Sequence, residues 1–219
     1  MDNKLIKSPY YSLEKLSEDS RLVKRGLRDL SVWPKIESLF NELKRKYEIK
    51  DIDGCIQLAR EILATDPCHF FTRCYYGRCL YEKDDYEKSA EMLGQCIEEE
   101  RGYFFLWKFR ADAYMKMKRY EQALSDLKES LVIDPGNGAT LDDIAQCLYF
   151  MGKFNEAYEF IDKAIEIERD SEMPMVRKGQ FFEYQGRIKE AVEQYSMAAH
   201  EFPTAEFARK KVIELSKTL

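Results

Sequence analysis

Ile52, Tyr86, Tyr120, Phe154 and Ile188 stand 34 residues apart, and each is followed three positions later by a small side chain. Those small residues are Cys55, Ser89, Ala123, Ala157 and Ala191. Four positions further on come Ala59, Leu93, Leu127, Ile161 and Tyr195, and then Ile62, Cys96, Ser130, Ala164 and Ala198. Pro67, Pro135 and Pro203 close three of the units, with Arg101 and Arg169 in that place in the other two. The period holds without an insertion from about Ile36 to Pro203, which makes five units. Each copy must then meet the next copy in the same way, which is the signature of a stacked array.

Each unit reads as two helices. Ala123, Leu127, Ser130 and Leu131 follow a 3–4 spacing that places them on one face of the second helix. Proline then stops that helix. The first helix is expected from about Phe104 to Lys118, with Trp107, Ala111 and Tyr114 on its buried side. Leu141, Ala145 and Leu148, then Met175, Gly179 and Phe182, take those places in the next two units. Gly152 and Gly186 mark turns between paired helices. Small residues such as Gly77 and Ala111 are set to meet Ser89 and Ala123, so paired helix axes can approach closely. One such pair cannot bury its apolar face alone, and stacking supplies the missing partner.

Trp107-x2-Arg110-Ala111-x2-Tyr114, followed by Tyr120-x2-Ala123, Leu127, Ser130 and Pro135, resembles the tetratricopeptide repeat. The resemblance covers residues 36–203. It implies an all-α fold, a right-handed α-solenoid of five helix pairs at 36–69, 70–103, 104–137, 138–171 and 172–203. A C-terminal capping helix over 204–219 and an N-terminal helical extension over 1–35 complete the expected organisation. The departures are local. Arg110 stands where the family favours Leu, and the first unit has Leu43 at the usual Gly place and Lys46 at the usual aromatic place. That unit keeps an apolar stripe of Ile36, Leu39, Leu43 and Tyr47.

At the C-terminal end, Ala205, Ala208, Val212, Leu215 and Leu219 fall at 3–4 spacing behind Thr204, an expected N-cap. At the other end, Leu13, Leu16, Ser20, Val23, Leu27 and Leu30 have the same spacing, which predicts a helix over about Ser12–Leu30. That strip could cap the first repeat, make a homo-oligomer, or fold on a partner. Residues 1–35 carry eight Lys/Arg and five Asp/Glu, a net of +3, whereas the remainder carries 27 and 35, a net of −8.

The overall net charge of −5 argues against a nucleic-acid or membrane-surface binder, either of which wants a basic face. No stretch approaches the roughly 18 apolar residues of a membrane span, and Met1–Lys7 lacks the apolar run of a secretory leader. The six cysteines show no CxxC, so buried or half-buried thiols in a reducing cytoplasmic compartment are expected. His69 and His200 are the only histidines, and neither has metal-ligand spacing to Cys or a carboxylate. No Gly-rich phosphate cradle and no nucleophile elbow is present. No cofactor, metal or catalytic residue is therefore expected, and the chain is read as no enzyme.

The family resemblance implies that the first helix of each unit lines a concave groove. Carried over position by position, it nominates Phe71, Tyr75, Arg78 and Tyr81 in the second unit, and Phe105, Lys108, Phe109 and Asp112 in the third. The fourth supplies Asp142, Asp143, Gln146, Tyr149 and Phe150, and the fifth Val176, Arg177, Gln180 and Tyr184. Aromatic rings with Arg and Lys among them have the composition of binding hot spots. Some members of the family clamp a carboxylate terminus with Lys, Asn and Arg. The corresponding places here hold Lys108, Asp112, Asp143, Met173 and Arg177. The two aspartates would repel a carboxylate and cannot donate to it, which argues against that use. The function expected is a protein-interaction scaffold or adaptor that binds a peptide or helical segment in the groove. A self-associating structural subunit and a chaperone for secreted proteins are the alternatives.

Overall fold

The computed structural model describes residues 32–219. The helix expected over Ser12–Leu30 lies outside them. The described residues form eleven α-helices and no strand, and they fall into two compact units, one ending at Met117 and one running Lys118–Leu219. The first unit contains α1 (Trp33–Glu48), α2 (Ile52–Thr65), α3 (Phe70–Glu82), α4 (Tyr86–Glu99) and α5 (Phe104–Lys116). The second contains α6 (Tyr120–Ile133), α7 (Gly138–Phe150), α8 (Phe154–Ile167), α9 (Met173–Tyr184), α10 (Ile188–Glu201) and α11 (Glu206–Ser216). Within each unit every helix packs on the next in sequence, and first helices of adjacent pairs also touch, α3 with α5 and α7 with α9.

The five residues that set the period, Ile52, Tyr86, Tyr120, Phe154 and Ile188, are the first residues of α2, α4, α6, α8 and α10. The turn before each has one geometry. Lys50, Asp84, Lys118, Gly152 and Gly186 all have positive φ, from 58° to 78°. The next amide reaches back over the turn, as Asp51 N to Lys46 O at 2.9 Å, Asp85 N to Leu80 O at 3.0 Å, Lys153 N to Leu148 O at 2.9 Å and Arg187 N to Phe182 O at 2.9 Å. This is the left-handed C-terminal cap that satisfies carbonyls left over at a helix end. Glycine adopts it without a Cβ penalty, but three of the five turns use Lys or Asp. Because Lys118 occupies the turn, α5 ends at Lys116 rather than at the Lys118 expected from the spacing.

Several helix starts are fixed by side chains. Asp51 accepts from Gly54 N at 2.9 Å, Asn137 accepts from Thr140 N at 2.9 Å, and His69 Nδ1 accepts from Thr72 N at 3.3 Å. Pro34 and Pro174 sit in the first turns of α1 and α9, where a missing N–H costs nothing.

The core of the first unit joins Ile36, Phe40 and Leu43 of α1 to Cys55, Ala59 and Ile62 of α2. It continues through Phe71 and Cys74 of α3 and Leu93 and Cys96 of α4 to Phe105 and Leu106 of α5. The small-on-small contact expected between paired helices is present, with Ser89 Oγ donating to Gly77 O at 2.8 Å. In the second unit the last helices share a core of Val176, Phe182, Ala191, Tyr195, Ala198, Ala205, Ala208 and Leu215. Tyr195 is large for this position, and Gly179 makes the room. A Cβ at Gly179 would lie 2.7 Å from Tyr195 Cε1.

Helix α11 covers the end of that core with Ala205, Ala208 and Leu215. Glu183 fastens it, accepting from Tyr195 Oη at 2.8 Å and from Lys211 Nζ at 2.7 Å. Two expectations need correcting here. Thr204 does not cap the helix; buried Ala205 holds the cap position, and the Thr204 hydroxyl turns to Glu172 Oε2 at 3.2 Å. Leu219, at the end of the expected stripe, is 63% exposed because α11 stops at Ser216.

Candidate functional site

In the first unit, α1, α3 and α5 lie side by side and present a row of half-buried side chains. Tyr75 stands edge-on to two rings of α1, Phe40 at 5.7 Å and Tyr47 at 5.4 Å. One turn along α3, Arg78 reaches α5, where Nη1 donates to Asp112 Oδ2 at 2.8 Å. Its Nη2 lies 3.3 Å from Glu82 Oε1. The guanidinium also lies over the Tyr81 ring at 4.3 Å and the Phe109 ring at 5.0 Å. Lys108 Nζ is 4.0 Å from Asp112 Oδ1. The result is a cage of Tyr47, Tyr81 and Phe109 around one cation that is balanced by carboxylates, with Tyr75 packed edge-on against Tyr47.

The electrostatics follow from the geometry. Burial works against the Arg78 charge, but Asp112, Tyr47 and Glu82 outweigh it and leave the guanidinium more firmly protonated than usual. Burial pushes the Tyr81 phenol up to about 12, with Asp112 adding to the effect. Burial also raises Tyr75, with the neighbouring Tyr47 contributing, and it raises Tyr47 itself. The three phenols therefore stay neutral at physiological pH and keep an O–H to donate.

The structure sorts the residues nominated from sequence. Tyr75, Arg78, Lys108, Phe109 and Asp112 come together in the first unit. Phe71 and Phe105 lie in its core, at 4% and 5% exposure, with Phe71 packed on Phe70 and Tyr103 and Phe105 on Tyr103 and Phe104. In the second unit, Asp143 and Tyr149 are buried, while Gln146 and Arg177 are half-buried. Arg177 forks onto buried Asp142, Nε to Oδ1 at 3.0 Å and Nη2 to Oδ2 at 3.0 Å, so it braces α9 against α7. The Tyr149 ring stacks on Phe181 at 4.2 Å, and its hydroxyl donates to Phe181 O at 3.0 Å. Phe150 and Tyr184 remain exposed there, at 47% and 65%.

Sequence reasoning placed Tyr47 in the apolar stripe of α1 and missed its part in the cage. The signal was available, because Tyr47 and Tyr81 are one 34-residue period apart. All six cysteines are thiols, five of them buried. Cys68 corrects the expectation, since it is exposed in the turn before α3. Among the described residues no group of three or more His, Cys, Asp or Glu side chains is placed to hold a metal ion, and no helix is long and apolar enough to cross a membrane.

Residues 114–178 match the tetratricopeptide repeat family model. Over these residues the chain carries tetratricopeptide repeats. It is 27% identical over 103 residues to small glutamine-rich tetratricopeptide repeat-containing protein 2 of Mycosarcoma maydis, covering 47% of this chain and 29% of that protein. It is 30% identical over 115 residues to stress-induced-phosphoprotein 1 of Caenorhabditis elegans, covering 49% and 36%. This tetratricopeptide chain thus spans about a third of the length of the curated relatives it matches. Among solved structures, a thermophilic tetratricopeptide protein of Thermus thermophilus aligns with a TM-score of 0.69 at 17% identity, covering 82% of this chain and 98% of that one. MamA of Desulfovibrio magneticus aligns with a TM-score of 0.67 at 14% identity, covering 76% and 94%. At these identities the structural likeness speaks for the tetratricopeptide fold alone.

Proposed function

We propose that this chain is a non-enzymatic protein-interaction scaffold, and that a peptide or helical segment of a partner lies against the first-helix row of α1, α3 and α5. The observation that carries the reading is the cage of Tyr47, Tyr81 and Phe109 around Arg78, backed by Tyr75 against Tyr47. Tyr and Arg dominate the energetics of protein interfaces because they combine apolar area with polar tips. Here they are half-buried and held by neighbours, so little side-chain freedom remains to be lost on binding. Arg78 is already balanced, so the row favours a segment that brings apolar or aromatic side chains over one that brings a lone carboxylate.

The test is a selection of peptides on the wild-type chain from a random display library, followed by affinity measurement on variants. Tyr81→Ala and Lys108→Glu change the row, whereas Gln57→Ala and Glu91→Ala change exposed residues of the second helices α2 and α4. The row variants are expected to lose at least tenfold in affinity and the other two to lose nothing. Equal binding by all four variants would place the partner elsewhere.

A further inference from the structure

The second unit carries an exposed apolar surface at the turns where first helices end and second helices begin. Buried Tyr149 is its hub. The Tyr149 ring lies 5.1 Å from Phe154, 5.8 Å from Phe150 and 6.3 Å from Tyr184. Those three rings are 42%, 47% and 65% exposed. Tyr120 lies flat on Phe150, with centroids 5.3 Å and planes 17° apart. Phe150 and Tyr184 are one period apart, and so are Tyr120 and Phe154, so two successive turns build the surface together. In the first unit Glu48, Glu82 and Lys116 stand at the place of Phe150 and Tyr184. The charges change too. Asp51 and Asp85 precede α2 and α4, and each is already held by a lysine, Lys46 at 2.6 Å and Lys88 at 2.7 Å. Arg119, Lys153 and Arg187 take that position before α6, α8 and α10.

We infer that this edge of the second unit docks an acidic segment of another protein, one in which carboxylates are interspersed with aromatic or aliphatic side chains. Clustered exposed rings mark interaction surfaces rather than ordinary solvated ones. These rings brace one another through Tyr149, so little freedom remains for a partner to remove. The surface shares no residue with the row of α1, α3 and α5, and it stands whether or not that row binds a segment of its own.

Charge selects the partner. Lys118, Arg119, Lys153 and Lys189 are exposed in and beside these turns, and the exposed acids there are Glu121 and Glu156, which leaves a surplus of two positive charges. Arg187 is engaged within the chain, its Nε donating to Glu190 Oε2 at 2.8 Å. The whole unit, residues 118–219, carries 14 Lys/Arg and 19 Asp/Glu, a net of −5. The aromatic edge therefore has the opposite sign to the body that bears it, which orients an acidic segment onto the rings and away from the remaining surface. A nucleic-acid strand fits less well. Its evenly spaced phosphates would have to pass Glu121, Glu156 and the acidic body, whereas a peptide can set single carboxylates beside single lysines.

The experiment selects peptides from a random display library on the full chain, with a Tyr184→Ser, Lys153→Glu variant in excess as soluble competitor. Only peptides that need this edge are then recovered. We expect them to be net negative with aromatic or aliphatic residues, and to bind more weakly as salt rises. Tyr184→Ser and Lys153→Glu should each weaken them roughly tenfold or more, whereas Lys108→Glu in the first-helix row should leave them unchanged. Should Tyr184→Ser fail to fold, Lys153→Glu, an exposed position, serves as both competitor and readout. No recovered peptide, peptides that are neutral or basic, or an equal loss with Lys108→Glu would each overturn the proposal. So would a wild-type chain that sediments as a dimer and becomes a monomer with Tyr184→Ser, because a second copy would then hold the edge. An oligodeoxythymidine probe that binds the wild type and is lost with Tyr184→Ser would overturn it in favour of single-stranded nucleic acid.

Discussion

Arg78 and Asp112 are 34 residues apart and joined by a hydrogen bond of 2.8 Å, so the repeat period itself delivers an ion pair between consecutive first helices. The two side chains are 20% and 17% exposed, which shields the pair from solvent. Asp112→Ala should destabilise the protein by about 1–3 kcal/mol, because it leaves a buried guanidinium with Glu82 as a poorer partner. Urea denaturation measures this. The deficit should persist at roughly 1 M salt, where the Debye length is only about 3 Å, because a sheltered pair is weakly screened. A deficit that vanishes with salt would mean that the pair is solvent-exposed in practice.

His69 should make stability depend on pH. Burial holds its imidazole below the ordinary value of 6.5, opposed by Asp66. As pH falls below 6.5, the unfolded chain takes up a proton that the folded chain refuses, so stability drops. The loss levels off once the folded imidazole is protonated too. The geometry agrees, since Nδ1 accepts from Thr72 N and cannot do so when protonated. His69→Asn keeps a capping acceptor and removes the titration. Its urea midpoint should therefore change less than that of the wild type between pH 7.5 and 5.5.

Gly179 and Gly186 should respond to alanine for different reasons. At Gly179 the new Cβ would meet Tyr195 Cε1 at 2.7 Å, and Tyr195 is fully buried and cannot step aside. We expect a loss of about 1–3 kcal/mol from overpacking. At Gly186 nothing lies within 4 Å, but φ is +72°, so the loss should be nearer 1 kcal/mol. Adding Tyr195→Phe should leave the Gly179→Ala deficit in place, because the clashing ring carbons remain.

Glu183 should govern how firmly α11 is held. It accepts from both Tyr195 and Lys211. Glu183→Ala should cost about 1–2 kcal/mol, mostly by leaving the buried Tyr195 hydroxyl without its partner. The amides of Ala208–Leu215 should exchange faster with deuterium, while those of α7 stay protected. Uniform acceleration in both helices would show that the effect is global rather than local.

The helix starts were legible in sequence because they obey a count. Ile52 and its four successors begin second helices, and the spacing alone located them. The reach of α5 was less legible, since Lys118 reads as a helix former until its positive φ is seen. The candidate site was legible in part. Spacing put Tyr75, Arg78, Lys108, Phe109 and Asp112 on first helices, where they do come together. It could not separate Phe109 from Phe105, because exposure depends on Tyr103 and Phe104, which lie outside the repeat's signature positions. Nor could it show that Arg177 is engaged by Asp142, which is a matter of two side-chain conformations rather than of register.

The left-handed turns at Lys50, Asp84 and Lys118 leave the protein with unused room for improvement. A backbone shape that suits glycine is imposed there on residues with a Cβ, at about 1 kcal/mol apiece. Lys118→Gly should return part of that, about 0.5–1 kcal/mol, less the extra freedom it gives the unfolded chain. The joints between paired helices are thus where a tougher variant can be bred without touching the aromatic cage.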